Sequence, residues 1–238
     1  MITGQGRVTG SFRRGARSCL GVAGPMGEDR SMSAFPVTDA LLVIDVQESF
    51  RQRDTWRAIS NPDIVDDVSR LVAAARARGQ LVVWVLHAEP GSGGAFDPAS
   101  GHVRPITGLV PRDGEPVLTK VVHNAFTTTA LQLLLNRVGV RRVTICGIRT
   151  EQCCETTARL ASDLGYDVVF VTEATATTPL PHRDLGEDVP LEQILADPRT
   201  LSADEVIIRT EYALAGRFAT IATIDEVVAG AALSDALG

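Results

Sequence analysis

The sequence predicts an α/β fold built on a six-stranded, mainly parallel β-sheet. Apolar runs typical of buried strands alternate with segments whose apolar residues recur at helical spacing. Glycines also stand where three of these helices are expected to end, at Gly79, Gly139 and Gly165. Because strands that alternate with helices favour a parallel sheet with both faces covered, we expect a single domain over residues 38–238.

The first elements are predicted from the period of their apolar residues. The run ALLVIDV at 40–46 has no polar face and predicts a strand that is buried on both sides. Helical spacing over 61–78 predicts an amphipathic helix. Further strands are predicted at 80–89 and 115–122, separated by a loop rich in glycine and proline.

The alternation continues through the middle of the chain. A helix is predicted over 127–139, a strand over 141–148, a helix over 151–165 and a strand over 166–174. A proline-containing excursion over 175–200 follows, and it is long for a connection within a compact domain. The sequence leaves open whether this excursion is a lid or a dimer arm.

Two capping boxes predict where the last helices begin. Ser202 and Glu205 have the spacing in which each side chain caps the backbone of the other, and Thr223 and Glu226 repeat it. The short apolar run at 218–223 lies between the two helices and predicts the sixth strand.

Composition excludes several classes of protein. Of the 238 residues, 45% are hydrophobic and 22% charged, and the net charge is −6, so neither disorder nor a nucleic-acid partner is indicated. No apolar run is long enough to predict a membrane span. Four cysteines in a chain of this length do not indicate a disulfide framework, and with no secretory signal we expect a cytoplasmic location.

Residues 1–37 form an extension that differs in composition from the domain. Positions 1–31 hold 7 of the 21 glycines and five arginines, and they show no hydrophobic period. One interpretation is a disordered basic arm that contacts a partner. The interpretation we favour is a non-native or mis-started leader, with the true start at Met32 or Met26.

Three residue types that together carry nucleophilic chemistry fall at predicted strand ends. Asp45 ends the first strand, Lys120 lies on the third, and Cys153 follows the fourth at a helix start where Thr150 suits the N-cap. Ligand sites of open α/β sheets form at this edge. A helix N-terminus and an ammonium favour a thiolate, and a carboxylate can accept the thiol proton. Each residue alone could have a purely structural role. The three together at strand ends favour a functional role, because Lys120 is the only lysine of the chain.

Three segments carry a resemblance to a known family. They are LLVIDVQESF at 41–50, LTKVVHNAF at 118–126 and ICGIRTEQCCETTARLASDLGYDV at 145–168. Over roughly residues 38–230 the chain resembles the isochorismatase-like cysteine hydrolases, which include nicotinamidases, N-carbamoylsarcosine amidases and ureidoacrylate amidohydrolases. The resemblance implies a three-layer α-β-α sandwich of Rossmann type and a homo-dimer or homo-tetramer.

The resemblance also implies a site and a reaction. Asp45 becomes the general base, Lys120 the charged orienting residue and Cys153 the nucleophile. A cis peptide is implied between Ile148 and Arg149, with the backbone N–H groups of Arg149 and Cys153 as an oxyanion hole. The implied activity is hydrolysis of a small amide, carbamoyl or ureido substrate through a thioester, without a cofactor or metal. The alternatives are a metal-dependent nicotinamidase and a catalytically silent binding partner.

Four residues are candidate substrate contacts. His87 stands in the region where metal-binding relatives carry an Asp-x-His pair, but no ligand-spaced partner accompanies it, so we expect no metal. His87 then either lines the pocket or is a satisfied histidine at the end of its strand. Phe50 and Phe126 follow Asp45 and Lys120 and either line the pocket or pack the core. Arg149 either binds a substrate carboxylate or turns to solvent.

Overall fold

The computed structural model describes residues 38–186 and 189–230. The predicted extension over residues 1–37 lies outside these ranges. Within them, no helix has the length and apolar character needed to cross a membrane.

In the described ranges, six strands form one open sheet in which every pairing is parallel. The strand order is β3-β2-β1-β4-β5-β6. The strands are β1 (Asp39–Ile44), β2 (Leu81–His87), β3 (Val117–Lys120), β4 (Arg142–Ile148), β5 (Asp167–Ala176) and β6 (Thr220–Ile221). The predicted six-stranded α/β fold is confirmed, and the sheet is parallel throughout.

Helices lie on both faces of this sheet. The α-helices are α1 (Glu48–Arg51), α2 (Ile64–Ala77), α3 (Leu131–Val138), α4 (Glu155–Asp163), α5 (Leu191–Ala196), α6 (Ala203–Leu214) and α7 (Ile224–Ala229). A π-helical turn, Thr150–Cys154, leads into α4. Short 3-10 turns lie at Asp54–Ala58, Pro98–Ser100 and Arg183–Leu185.

Two apolar layers hold the helices to the sheet. Side chains alternate along each strand, so Leu42 packs in one layer and Leu41 in the other. The first layer includes apolar residues of α3, α4 and α6, and the second includes those of α2 and α7. The strands thus lack a polar face, which explains why their sequences show apolar runs in place of alternation.

Two predicted helices begin later than expected because asparagine side chains compete for the backbone. The side-chain oxygen Oδ1 of Asn124 accepts hydrogen bonds from the backbone N–H groups of Phe126 and Thr127. Residues 127–130 are therefore not helical, and α3 starts at Leu131. Similarly, Asn61 accepts from the N–H of Asp63 before α2 begins. Both predicted capping boxes are confirmed in α6 and α7.

The excursion after β5 has more structure than its sequence indicates. Leu180 and Leu201 pair through two backbone hydrogen bonds of 2.9 and 3.0 Å, which close the segment at its base. Within it, α5 buries Leu191 and Ile194. This helix has six residues, too few to show a helical period in the sequence.

Gly147 permits the close approach of β1 and β4, the two strands at which the chain reverses its direction across the sheet. Its φ is 133°, and an added Cβ would lie 1.9 Å from the backbone oxygen of Ile44. Since ligand sites of open α/β sheets form at such a reversal, this contact also sets the spacing of the site.

Substituting Gly147 tests this constraint. We expect Gly147→Ala to lower the free energy of unfolding by several kcal/mol, because the clash is with backbone. Gly165→Ala is the matched control, since its φ of 89° is strained but nothing lies within 4 Å of the added Cβ. Thermal and denaturant unfolding would measure both, and an equal loss of stability in the two variants would contradict the proposed clash.

Candidate active site

The site is built at the carboxyl ends of β1, β3 and β4. Asp45 directly follows β1 and has a φ of 51°, a conformation that Asp tolerates better than most residues. Its N–H donates to the Val85 carbonyl at 2.8 Å. Gln47 then joins β1 to β2, because its side chain donates to the His87 carbonyl and accepts from the His87 N–H. The backbone that carries Asp45 is thereby fixed to β2.

Lys120 joins the three predicted triad residues. Its ammonium Nζ lies 2.7 Å from Asp45 Oδ2 and 3.3 Å from Cys153 Sγ. The side chains of Asp45 and Lys120 are 0% exposed, and Cys153 is 6% exposed. The structure therefore brings these residues into one buried cluster, in which the ammonium contacts both the acid and the thiol.

Burial dominates the protonation of this cluster. It raises the pKa of Asp45, and the Lys120 charge opposes that rise. Burial and then the Asp45 charge raise the pKa of Cys153 to about 12. The expectation that the helix start would favour a resting thiolate is therefore wrong. Near neutral pH Cys153 is therefore a thiol, and it needs a base to become a nucleophile.

The turn that carries Cys153 also differs from the predicted helix start. Arg149, not Thr150, occupies the N-cap position, and the Thr150 hydroxyl donates to Thr175 Oγ1 at 2.8 Å. The carbonyl of Arg149 accepts from the N–H of Cys154 at 3.1 Å. The peptide bond between Ile148 and Arg149 is cis, at the position that the resemblance implies.

The adjacent cysteine has a different environment. Cys154 is 0% exposed and packs in the same apolar layer as α3 and α4. Cys146 is equally buried, in the opposite layer. Of the three cysteines in the described ranges, Cys153 alone contacts Lys120.

His87 is the candidate substrate contact that lies nearest the cluster. Its Nδ1 is 3.4 Å from Lys120 Nζ, and its Nε2 is 3.4 Å from a Glu89 carboxylate oxygen. Burial, followed by the Lys120 charge, lowers the pKa of His87, which favours the neutral ring. Its ring also packs edge-on against Phe96, at 5.8 Å between centroids.

The other candidate contacts divide between a wall and the core. Phe50 packs edge-on against Phe96 at 4.9 Å between centroids, in the aromatic group beside His87. Phe126 is buried and stacks on Tyr166, with 6.0 Å between the ring centroids. Of the two roles that the sequence left open for Phe126, the structure therefore supports packing in the core.

Arg149 lies inside the protein and does not turn to solvent. Its side chain is 12% exposed and lines a cavity of about 620 Å³. Gln152, next to the nucleophile candidate, lines the same cavity, as do Thr178, Leu191 and Ile194 of the excursion after β5.

Sequence reasoning missed Gln47, Arg53 and Phe96. Gln47 lies within the first resembling segment, two residues after Asp45, and this position is the one signal in the sequence that could have found it. Arg53 and Phe96 lie in turns without a periodic pattern, and tertiary packing alone brings them together.

Together, the fold and the site define an α/β protein with a buried acid–ammonium–thiol centre at the reversal point of a parallel sheet. Residues 39–208 match the family model described as the isochorismatase domain. The chain belongs to the isochorismatase family of hydrolases.

Several relatives are similar over most of the domain. A streptothricin hydrolase of Streptomyces noursei is 33% identical over 71% of this chain and 61% of its own length, so the chain spans less than two thirds of that relative. The ureidoacrylate amidohydrolase RutB of Klebsiella pneumoniae is 26% identical over 61% of this chain and 76% of its own. A solved cysteine hydrolase from Pseudomonas syringae pv. phaseolicola superposes with a TM-score of 0.69 at 25% identity, over 82% of this chain and 92% of that one.

Removing the buried ammonium tests the electrostatics of the cluster. In Lys120→Met, the Asp45 carboxyl loses its partner and its pKa rises further. A carboxyl whose pKa is raised on folding stabilises the protein below its unfolded pKa, and this stability is lost as pH rises through the folded pKa. We therefore expect the variant to lose about 3–5 kcal/mol at neutral pH and less near pH 4.

The double variant Asp45→Asn/Lys120→Met is the control for that experiment. With neither charge present, we expect the added pH dependence to disappear and part of the stability to return. The measurement is the free energy of unfolding of the wild type and both variants between pH 4 and pH 8. A constant difference between Lys120→Met and the wild type from pH 4 to pH 8 would contradict the buried ion pair.

Proposed function

We propose that this protein is a cysteine amidohydrolase that cleaves the C–N bond of a small amide, carbamoyl or ureido substrate through a thioester. The contact of one buried ammonium with both Asp45 and Cys153 supports this proposal most directly. The names of two relatives also support the proposal. One is a ureidoacrylate amidohydrolase, which agrees with the proposed bond, and the other is a cysteine hydrolase, which agrees with the proposed nucleophile.

In the acylation half of the reaction, Asp45 accepts the proton of Cys153. Lys120 stabilises the resulting thiolate, which attacks the carbonyl carbon of the substrate. The tetrahedral intermediate collapses, the C–N bond breaks, and Asp45 returns the proton to the departing ammonia or amine. The acyl group stays on Cys153 as a thioester.

In the deacylation half, water replaces the departed amine. Asp45 accepts a proton from the water as it attacks the thioester carbonyl, and the acid product leaves as the proton returns to the thiol. In both halves we assign the oxyanion to the backbone N–H groups of Arg149, at the N-cap of the turn into α4, and of Cys153, within that turn.

The charge beside His87 disfavours the metal-dependent alternative. A cation bound to Nδ1 would lie close to the Lys120 ammonium, which is 3.4 Å from that nitrogen. In the described ranges, no group of three or more His, Cys, Asp or Glu is arranged to hold a metal. The cytoplasmic location and the homo-oligomeric state stay predictions of the sequence.

Adjacent cysteines give a matched test of the nucleophile. We expect Cys153→Ala to lower kcat/KM by at least about 10³-fold, because it removes the group that forms the thioester. Cys154→Ala should keep most of the activity, since that side chain packs the core. The assay would follow ammonia or amine release from a panel of small amides, carbamoyl compounds and ureides that includes ureidoacrylate.

Two outcomes would contradict this assignment. One is equal loss of activity in the two alanine variants when both are folded. The other is a wild-type protein that releases neither ammonia nor amine from any member of the panel, which would favour the catalytically silent binding partner.

A further inference from the structure

The cavity lined by Arg149 and Gln152, which precede Cys153 in the chain, carries an excess of positive charge. Arg149 and Arg53 both line it, and each lies close enough to the other for its charge to affect the neighbour. Asp54 also lines the cavity, but its carboxylate lies 2.9 Å from Arg57, outside the lining. Two guanidinium groups therefore face this space.

Arg149 is poorly neutralised by the protein itself. Its side chain is 12% exposed, and its ion pair with Glu151 has an N–O distance of 3.9 Å, too long for a hydrogen bond. Neither carboxylate oxygen of Glu151 has a hydrogen-bond partner among the described residues. A buried guanidinium that lacks close acceptors is costly unless something else supplies them.

A second polar group in the same wall also lacks a partner. Thr178 is 3% exposed and lines the cavity, and its hydroxyl has no hydrogen-bond partner in residues 38–186 and 189–230. Buried hydroxyls are nearly always hydrogen-bonded. This hydroxyl and the Arg149 guanidinium are donors at the boundary of one cavity, and its volume of about 620 Å³ suits a small ligand.

Arg53 is held over an aromatic group that reaches the reactive cluster. Its guanidinium carbon lies 4.8 Å from the centre of the Phe96 ring, and Phe96 packs against His87. His87 in turn contacts the Lys120 ammonium. Arg53 therefore stacks on the aromatic group that contacts the cluster, while its hydrogen-bond donors stay available.

We propose that Arg149, Arg53 and Thr178 form a subsite for a carboxylate on the substrate, so that the enzyme prefers an amide or ureide that carries a negative charge. This inference rests on the proposed function and specifies its substrate class. The charged residues that line the cavity, Arg53, Arg149 and Asp54, sum to one positive charge, which a monoanion neutralises. A planar guanidinium also matches a carboxylate through two parallel hydrogen bonds.

Binding to an unreactive variant tests the subsite without requiring turnover. Succinamate and succinamide differ in one group, a carboxylate in the first and an amide in the second. On a Cys153→Ser background, we expect calorimetry to show succinamate binding at least about tenfold more tightly than succinamide. The added substitution Arg149→Gln should remove this preference, and Arg149→Lys should retain part of it.

Further variants separate the subsite from a general charge effect. Arg53 is exposed, so Arg53→Gln should fold normally and still reduce the preference severalfold. Arg70→Gln removes the same charge from an exposed pair with Asp225 and should leave the preference unchanged.

The subsite is overturned by equal binding of the two compounds, by a preference that survives both Arg149→Gln and Arg53→Gln, or by no binding of succinamate at millimolar concentration. Failure of the proposed function has a different signature. In that case succinamate binds with its arginine-dependent preference, and the protein with Cys153 intact hydrolyses no compound of the amide and ureide panel.

Discussion

The ammonium of Lys120, buried between a carboxylate and a thiol, is the interaction on which the rest of the site depends. A charge with no solvent exposure is tolerated only when it is paired, and Asp45 supplies the pairing at 2.7 Å. The parallel sheet makes this contact possible, because it delivers the ends of β1, β3 and β4 to one edge. Gly147 contributes by letting β4 approach the backbone of β1.

The same burial decides how the thiol works. Desolvation raises the pKa of Cys153 to about 12, so the thiol is protonated at neutral pH. A position near a helix start does not overcome this cost. The nucleophile is therefore generated only when Asp45 takes the proton, and the nearby Lys120 charge stabilises the ion pair that results. The resting site therefore holds a protonated thiol, which reacts with an electrophile only as Asp45 takes its proton.

The fold and the cluster were predictable because they depend on local patterns. Apolar runs predicted the strands, and capping boxes predicted the starts of α6 and α7. The positions of Asp45, Lys120 and Cys153 at predicted strand ends indicated that they would meet at one edge of the sheet. The wall of the cavity was not predictable, because α5 is too short for a period and Arg53 meets Phe96 only through tertiary packing. The protonation of Cys153 was mistaken for a similar reason, since burial outweighs the local effect of the turn.

The proposed substrate preference depends on residues that lie outside the strands. Arg149 comes from the turn before α4, Arg53 from the segment after α1, and Thr178 from the excursion after β5. These segments meet around the cavity, whereas the reactive cluster lies at or just after the carboxyl ends of β1, β3 and β4. In this proposal the sheet positions the chemistry and the surrounding loops select the substrate, as is common in open α/β proteins.

The most direct test of the central claim is alkylation of the native protein by limiting iodoacetamide near pH 7. Tandem mass spectrometry must locate the label within the tryptic peptide 150–159, which contains both Cys153 and Cys154. The account predicts selective labelling of Cys153 that falls by about 10²-fold or more in Asp45→Asn and also falls in Lys120→Met. Equal labelling of the two cysteines that is unaffected by either substitution would contradict it.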